Sequence, residues 1–404
     1  MRTRRIRPPA VLALLLLAAS CNWLREGRWQ VYQDDGTRAL EKRQYAEAEK
    51  QWKRGLEIAE RFGPQDPRLG TSLSSLGRLY AVQGRYGEAE PLYAKALAVW
   101  QSVWGPAHPA VAKALDNLAA LRYAQGRYAE AEPLYRRSRD IKMKALGPDH
   151  PDLATTEHNL GTVLRAQGRF ADAEPLYKHA LAVREKALGA DHADVATSLN
   201  DLGNLYHAQG KLAEAEPLYR RAIAIWEKRF GPRHPDLATG LQDLADLDRT
   251  RGNVVEARSL YERALAIRRE VLGPDHPDVA RSLSGLSLLY KSEGRYEEAE
   301  VFGRQALEIW EKSFGADHPD VATALNNLAL LLFAQDRPDE AEPLYRRAIA
   351  IEEKVLGPRH PDLARSLDNY AALLREEGRD AEARPLEARA RDIRTRHAWE
   401  QPTS

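Results

Sequence analysis

Seven histidines stand at one interval along the chain: His108, His150, His192, His234, His276, His318 and His360, each 42 residues after the last. Imidazole is the commonest metal ligand among side chains, so a metal site is the first chemistry to weigh. Zn–N bonds are about 2.0–2.1 Å, and the ligands must converge on one ion. Residues that recur once per repeat instead sit one packed unit apart, on the order of 10 Å or more. The histidines also lead into Pro-Asp, as in His150-Pro151-Asp152, which has the form of a helix start with an acid at its positive end. No metal and no cofactor is therefore expected. Glu88-Ala89-Glu90 and its copies form a helix surface rather than an acid/base pair. Glycine-rich phosphate loops and nucleophile elbows are absent from the sequence. No enzymatic activity is expected.

A second periodic set has binding chemistry. Two adjacent positions read Ser74-Ser75, Asp116-Asn117, His158-Asn159, Asn200-Asp201, Gln242-Asp243, Ser284-Gly285, Asn326-Asn327 and Asp368-Asn369. A side-chain amide donates and accepts at once and so can hold a peptide backbone. The same residues could equally form a polar ladder that only ties neighbouring helices together. Six positions after the asparagines come Tyr123, Arg165, His207, Arg249, Lys291, Phe333 and Arg375, preceded by Asn204, Asp246, Leu288 and Leu330. This describes a surface that is basic in its middle and apolar towards Leu288, Leu330 and Phe333, although solvated charge stripes are common. An acidic partner with an apolar anchor would suit it.

The elements that must position these residues follow from the glycines. Gly63, Gly105, Gly147, Gly189, Gly231, Gly273, Gly315 and Gly357 mark one boundary, and Gly84, Gly126, Gly168, Gly210, Gly252, Gly294 and Gly378 another, with Asp336 out of step. Self-similarity at this period means a stacked array. Within one copy, Leu73, Leu76, Gly77 and Tyr80 make an amphipathic stripe that ends at Gly84. Ala89, Tyr93, Ala96 and Leu97 make a second stripe that ends at Gly105. Each copy is thus a helix pair that cannot bury its stripes alone. Pro91 and its equivalents lie inside the second helix and should bend it slightly. Arg122, Glu157 and Asp248 interrupt the first stripe, and drift in a redundant array is the favoured explanation over a functional role.

Leu76-Gly77, Tyr80, Ala89, Tyr93 and Ala96 resemble the tetratricopeptide repeat. The longer 42-residue form, with Glu88-Ala89-Glu90-Pro91-Leu92-Tyr93 and Gly147-Pro148-Asp149-His150-Pro151-Asp152, is similar to kinesin light chains and their bacterial relatives. The expected fold is all-α: a right-handed superhelical solenoid of about nine antiparallel helix pairs over residues 28–396. In kinesin light chains similar asparagines hold the main chain of extended peptides, so the resemblance implies that role for Asn117, Asn159, Asn327 and Asn369. Asn200, Asn204 and Asn326 lie on the same face and complete the expected peptide groove with Tyr123, Arg165, His207, Arg249, Lys291, Leu330 and Phe333.

The N-terminus reads as a signal peptide, residues 1–20. Arg2, Arg4, Arg5 and Arg7 precede an apolar run from Ala10 to Ala19 that is too short for a bilayer needing roughly 20 residues. Ala18-Ala19-Ser20-Cys21 resembles a bacterial lipobox, and Cys21 is the single cysteine of the chain. The resemblance implies lipidation at Cys21, a linker at 21–27 and an outer-membrane lipoprotein facing the periplasm. Conventional cleavage, leaving a soluble periplasmic or secreted protein, is the alternative. Residues 397–404 read as a polar tail. With 60 basic and 59 acidic residues the formal charge is +1, which disfavours nucleic acid as a partner. The expected function is a non-catalytic scaffold on the bacterial cell envelope, holding a peptide or protein in its concave groove. Assembly through the convex surface, and glycan recognition by the polar groove, are the alternatives.

Overall fold

The computed structural model describes residues 10–42, 44–358 and 360–399, with side chains from 25 to 395 except those of 43, 359 and 361. Residues 1–9 of the expected signal peptide, the side chains of the rest of it and of Cys21, and residues 400–404 of the polar tail lie outside what is described. Eighteen helices and no strand occur among the described residues. They run α1 (Ala10–Glu41), α2 (Tyr45–Glu60), α3 (Pro67–Val82), α4 (Tyr86–Trp104), α5 (Pro109–Ala124), α6 (Tyr128–Leu146), α7 (Pro151–Ala166), α8 (Phe170–Leu188) and α9 (Ala193–Ala208). There follow α10 (Leu212–Phe230), α11 (Pro235–Arg251), α12 (Val254–Leu272), α13 (Pro277–Ser292), α14 (Tyr296–Phe314), α15 (Pro319–Ala334), α16 (Pro338–Val355), α17 (Pro361–Glu376) and α18 (Asp380–Trp399). Within each unit consecutive helices pack in pairs; α1 also touches α3, and from α7 to α17 each odd-numbered helix touches the next odd-numbered one. This is the all-α helical solenoid that the repeat implied. No helix among the described residues is long and apolar enough to cross a membrane.

The chain divides into two compact units, residues 1–121 and 122–404. In the first, Ala39, Ala48, Trp52, Leu76, Leu79, Tyr80, Ala89 and Tyr93 form one apolar cluster. The first pair, α1 and α2, closes tightly: a Cβ on Gly36 would lie 2.4–2.7 Å from the Trp52 ring. In the second unit the larger clusters run from Ala245 to Ile351 and from Ala299 to Ala383.

The helix ends use the periodic residues. Gly84 takes φ 72° after α3, and Asp336 takes φ 59° at the equivalent turn after α15, the left-handed region that glycine enters without steric cost. The histidines are N-caps. His150 Nδ1 accepts from the backbone N–H of Asp152 at 3.1 Å, and His192, His234, His276, His318 and His360 do the same two residues on, each at 3.2 Å. In α3 the same place is taken by Asp66, whose carboxylate accepts from Arg68 N at 2.9 Å. Pro91, Pro133, Pro175, Pro217, Pro343 and Pro385 lie inside their second helices, which continue past them.

Close helix approach is built from small residues under large ones. A Cβ on Gly203 would meet the Tyr219 ring at 2.7 Å. Where Gly303 replaces that tyrosine, Ser287 replaces the small residue and donates to the Ala299 carbonyl at 2.7 Å. A second size rule governs the inter-pair contact. Trp100, Trp226 and Trp310 share a register position with Lys142, Arg184, Arg268 and Glu352. Fourteen residues after each tryptophan stands Ala114, Gly240 or Ala324, and after each charged residue Thr156, Ser198, Ser282 or Ser366. The charged side chains reach those hydroxyls, at 2.7 Å from Lys142, 2.6 Å from Arg184 and 2.7 Å from Arg268, while Ser366 donates to Glu352 at 2.9 Å.

The interruptions of the first stripe also find partners. Buried Glu157 faces His179 Nδ1 at 2.5 Å, Asp248 accepts from Asn253 at 3.0 Å, and Arg122 lies 3.5 Å from Glu130. Glu387, which stands where tyrosine stands in other copies, pairs with Arg375 at 2.5 Å.

Candidate functional site

Because odd-numbered helices touch one another directly, they form an inner layer, and their polar positions meet across it. In residues 1–121, Asn117 donates to Ser74 Oγ at 3.1 Å. In residues 122–404, His158 Nε2 lies 2.9 Å from Asp201, Asn200 donates to Asp243 at 2.6 Å, and Asn369 donates to Asn326 at 3.1 Å. All four pairs are 43 residues apart. His207 and Thr250 continue the pattern at 3.1 Å. Asn204 donates to Asp243 at 2.9 Å and accepts from the Tyr219 hydroxyl at 2.7 Å. A polar ladder between neighbouring repeats therefore engages Asn117, Asn200, Asn204, Asn326 and Asn369. Asn159 and Asn327, on the same face, are half-buried, and their side chains form no hydrogen bond with another described residue.

The layer carries charge of both signs, so the expectation of a basic middle needs correction. Asp201, Asp243 and Asp246 stand among Arg165, Arg249 and Arg281. Burial pushes Asp246 up to about 6, against the Tyr261 hydroxyl and Arg249, which favour its anion. Burial raises Asp243 as well, in spite of its bonds from Asn200 and Asn204. Burial opposes ionisation of Asp201 too, but His158 and Arg165 outweigh it and lower that carboxyl. The Arg165 guanidinium is opposed by burial yet held above the usual arginine value by Tyr177, Tyr123 and Asp201. Burial lowers His207 and Lys291. Arg249 lies 3.8 Å from Asp246. Among the described residues, Lys291 has no carboxylate within ion-pair distance. Beyond it, Leu330 and Phe333 are half-buried against the cluster containing Leu328, Leu331, Tyr345 and Tyr370. Sequence reasoning missed Arg281. Its signal was the run Thr155, Thr197, Thr239, Thr323, which Arg281 breaks.

Residues 122–404 curve enough for early and late repeats to meet. Tyr123, at the end of α5, feels the charges of Arg281 on α13 and Asp320 on α15. His318 Nε2 lies 3.3 Å from the Ala124 carbonyl, and His360 Nε2 lies 2.9 Å from that of Ala166. The inner layer of this unit therefore surrounds a lumen. Arg281, at 53% side-chain exposure, is open to solvent there although carboxylates of three repeats act on it.

Comparison with known proteins gives the following. The model of the tetratricopeptide repeat matches residues 39–102, 76–144, 111–186, 152–228, 194–270, 243–312, 289–354 and 320–396. None of the curated proteins matches the chain. Among solved structures, BtubC (BKLC) from P. vanneervenii is 25% identical, over 59% of this chain and 94% of its own, with a TM-score of 0.45. The apo quorum sensor NprR from B. thuringiensis is 15% identical over 81% of this chain and 87% of its own, with a TM-score of 0.60. The Rap conjugation gene regulator of plasmid pLS20, solved in complex with the Phr* peptide, is 13% identical over 82% of this chain and 96% of its own, with a TM-score of 0.59. At these identities the last two share the fold.

Proposed function

Because the chain belongs to the tetratricopeptide-repeat family, we propose that it is a non-catalytic scaffold that binds an extended peptide or protein segment along its inner layer. The observation that carries this is the combination of a fixed ladder with two amides that the ladder leaves free. Cross-repeat hydrogen bonds hold Asn200, Asn204, Asn326 and Asn369 in place, while Asn159 and Asn327 keep their donors and acceptors available. A surface already ordered loses little entropy when an extended chain docks on it. Half-buried Lys291 supports an acidic side chain in the partner, and Leu330 with Phe333 supports an apolar one a repeat further on. The apo-to-complex likeness to the pLS20 Rap regulator extends no further than its fold, so the peptide class rests on the inner layer itself.

We place the scaffold on the bacterial envelope, with a lipid on Cys21 as anchor and a soluble periplasmic form as the alternative. The lipobox-like Ala18-Ala19-Ser20-Cys21 and the single cysteine support this. Several acyl chains at about 0.8 kcal/mol per buried CH₂ suffice for stable attachment.

Peptides selected from a random library on the purified protein test the binding surface. Phe333→Ala should weaken their binding more than Lys291→Ala, because an apolar anchor is worth about 2 kcal/mol and an open charge pair about 0.5–1 kcal/mol. Only Lys291→Ala should flatten the salt dependence. If neither variant affects binding while circular dichroism stays unchanged, the inner layer is not the binding surface, and assembly through the convex face becomes the better account.

A further inference from the structure

His318 and His360 do two things at once. Their Nδ1 atoms accept from the backbone N–H of Asp320 and Asp362, each at 3.2 Å. An accepting Nδ1 leaves the proton on Nε2 in the neutral ring. The Nε2–H groups then donate to the carbonyls of Ala124 and Ala166, 194 residues earlier in sequence. The tautomer that caps the helix is thus the one that bonds across the coil. Packing at the same place is tight. A Cβ on Gly126 would sit 2.6 Å from the Pro319 ring and 2.9 Å from Val355, and the Tyr128 ring lies 5.9 Å from that of His360. A cavity of about 410 Å³ lies along this seam, lined by residues including Tyr128, Glu130, Asp317, Lys354, Val355 and Leu356.

We propose that this histidine seam closes the side of the groove in residues 122–404, so that the partner is an unfolded segment entering the lumen from its end, and a folded domain is admitted only when the seam opens. The lumen is narrow because only five inner helices, α7 to α15, complete the circuit before His360 meets Ala166, and packed helices lie about 8–10 Å apart. An extended chain fits such a space, and a folded domain does not. Asparagines that offer single amides suit a main chain, whose groups recur along one line. This deepens the peptide-scaffold reading and rests on it for the partner. The seam itself is testable without any partner.

The test is size-selective thiol labelling of the full-length chain carrying Cys21→Ser. One reporter, Ser284→Cys, lies on the inner layer, and another, Glu262→Cys, lies on the exposed face of α12. Each reacts with a maleimide carried on a linear Gly-Ser peptide and with one carried on a small folded protein. At the inner site the folded reagent should lag the peptide by roughly thirtyfold, the factor two hydrogen bonds of ordinary net strength supply. At the outer site the two reagents should react alike. His318→Asp with His360→Asp keeps the caps, since Asp66 caps α3 in this chain, but removes both Nε2 donors. This pair should abolish the lag. Tyr128→Ala, which leaves both caps intact, should reduce it. Equal rates at the inner site without seam substitutions would show the groove open at its side. A lag that survives both sets of variants would show that the histidines do not close it. Either result overturns the proposal, and neither bears on whether peptides bind.

Discussion

Glu352 offers the sharpest test of the energetics inside the array. It is 1% exposed, accepts from Ser366 Oγ at 2.9 Å, and has a second oxygen without a partner. Burial pushes its carboxyl up to about 7. At 1.36 kcal/mol per pH unit, the interval from 4.5 to about 7 amounts to about 3 kcal/mol. The folded state holds the proton more tightly than the unfolded chain. The contribution is therefore whole below pH 4.5 and is lost as pH rises through about 7. Glu352→Gln keeps a carbonyl for Ser366 and cannot ionise. At pH 3.5 it should match the parent, and at pH 8.5 it should be more stable by about 3 kcal/mol. A repeat array does not unfold as one state, so the assay is amide hydrogen exchange of α16 and α17. Protection there should be roughly a hundredfold higher in the variant at pH 8.5, after correction for intrinsic exchange. Equal protection at both pH values would mean that the carboxyl is solvated or paired, and would refute the buried assignment.

Three further outcomes follow from single positions. Asp336→Gly should raise stability by about 0.5–1 kcal/mol in urea melts, because glycine enters φ 59° without a Cβ penalty; a clear loss would reveal a contact of the Asp336 side chain. Tyr219→Phe removes the 2.7 Å bond to Asn204 and should cost about 1 kcal/mol, with increased exchange in α9 and α10 as the readout. Cys21→Ser should release the protein from the membrane fraction and abolish labelling by a palmitate analogue, and a parent protein that carries no lipid would remove the anchor from the account.

The helix pairs were legible because glycine and proline punctuate them at one interval, and α3 and α4 end within a residue or two of where the stripes and glycines put them. The histidines were read as structural, but their role as caps was hidden, since imidazole is not among the usual capping side chains. The inner face could be read from position alone. What its residues contact could not. Asn200 and Asn204 both turn to one carboxylate, Asp243, on the next repeat, and a one-dimensional period shows neighbours without showing which atoms meet. The charge of the groove was misread for a related reason: Arg165, Arg249 and Lys291 share a column, whereas Asp201, Asp243 and Arg281 sit on adjacent ones. The return of the coil depends on the small rotation from each repeat to the next, which accumulates over 194 residues between His318 and Ala124. No single repeat encodes that sum.

The central claim is that the inner layer of residues 122–404 binds an extended chain. A photo-crosslinking amino acid placed at Thr162, half-buried on the inner layer, and at Glu353, exposed on α16, tests it most directly when the protein is expressed in a bacterial envelope. The account predicts adducts from position 162 whose mass spectra map to short, contiguous, unfolded segments, and none of these from position 353. Adducts from position 353 alone would contradict it.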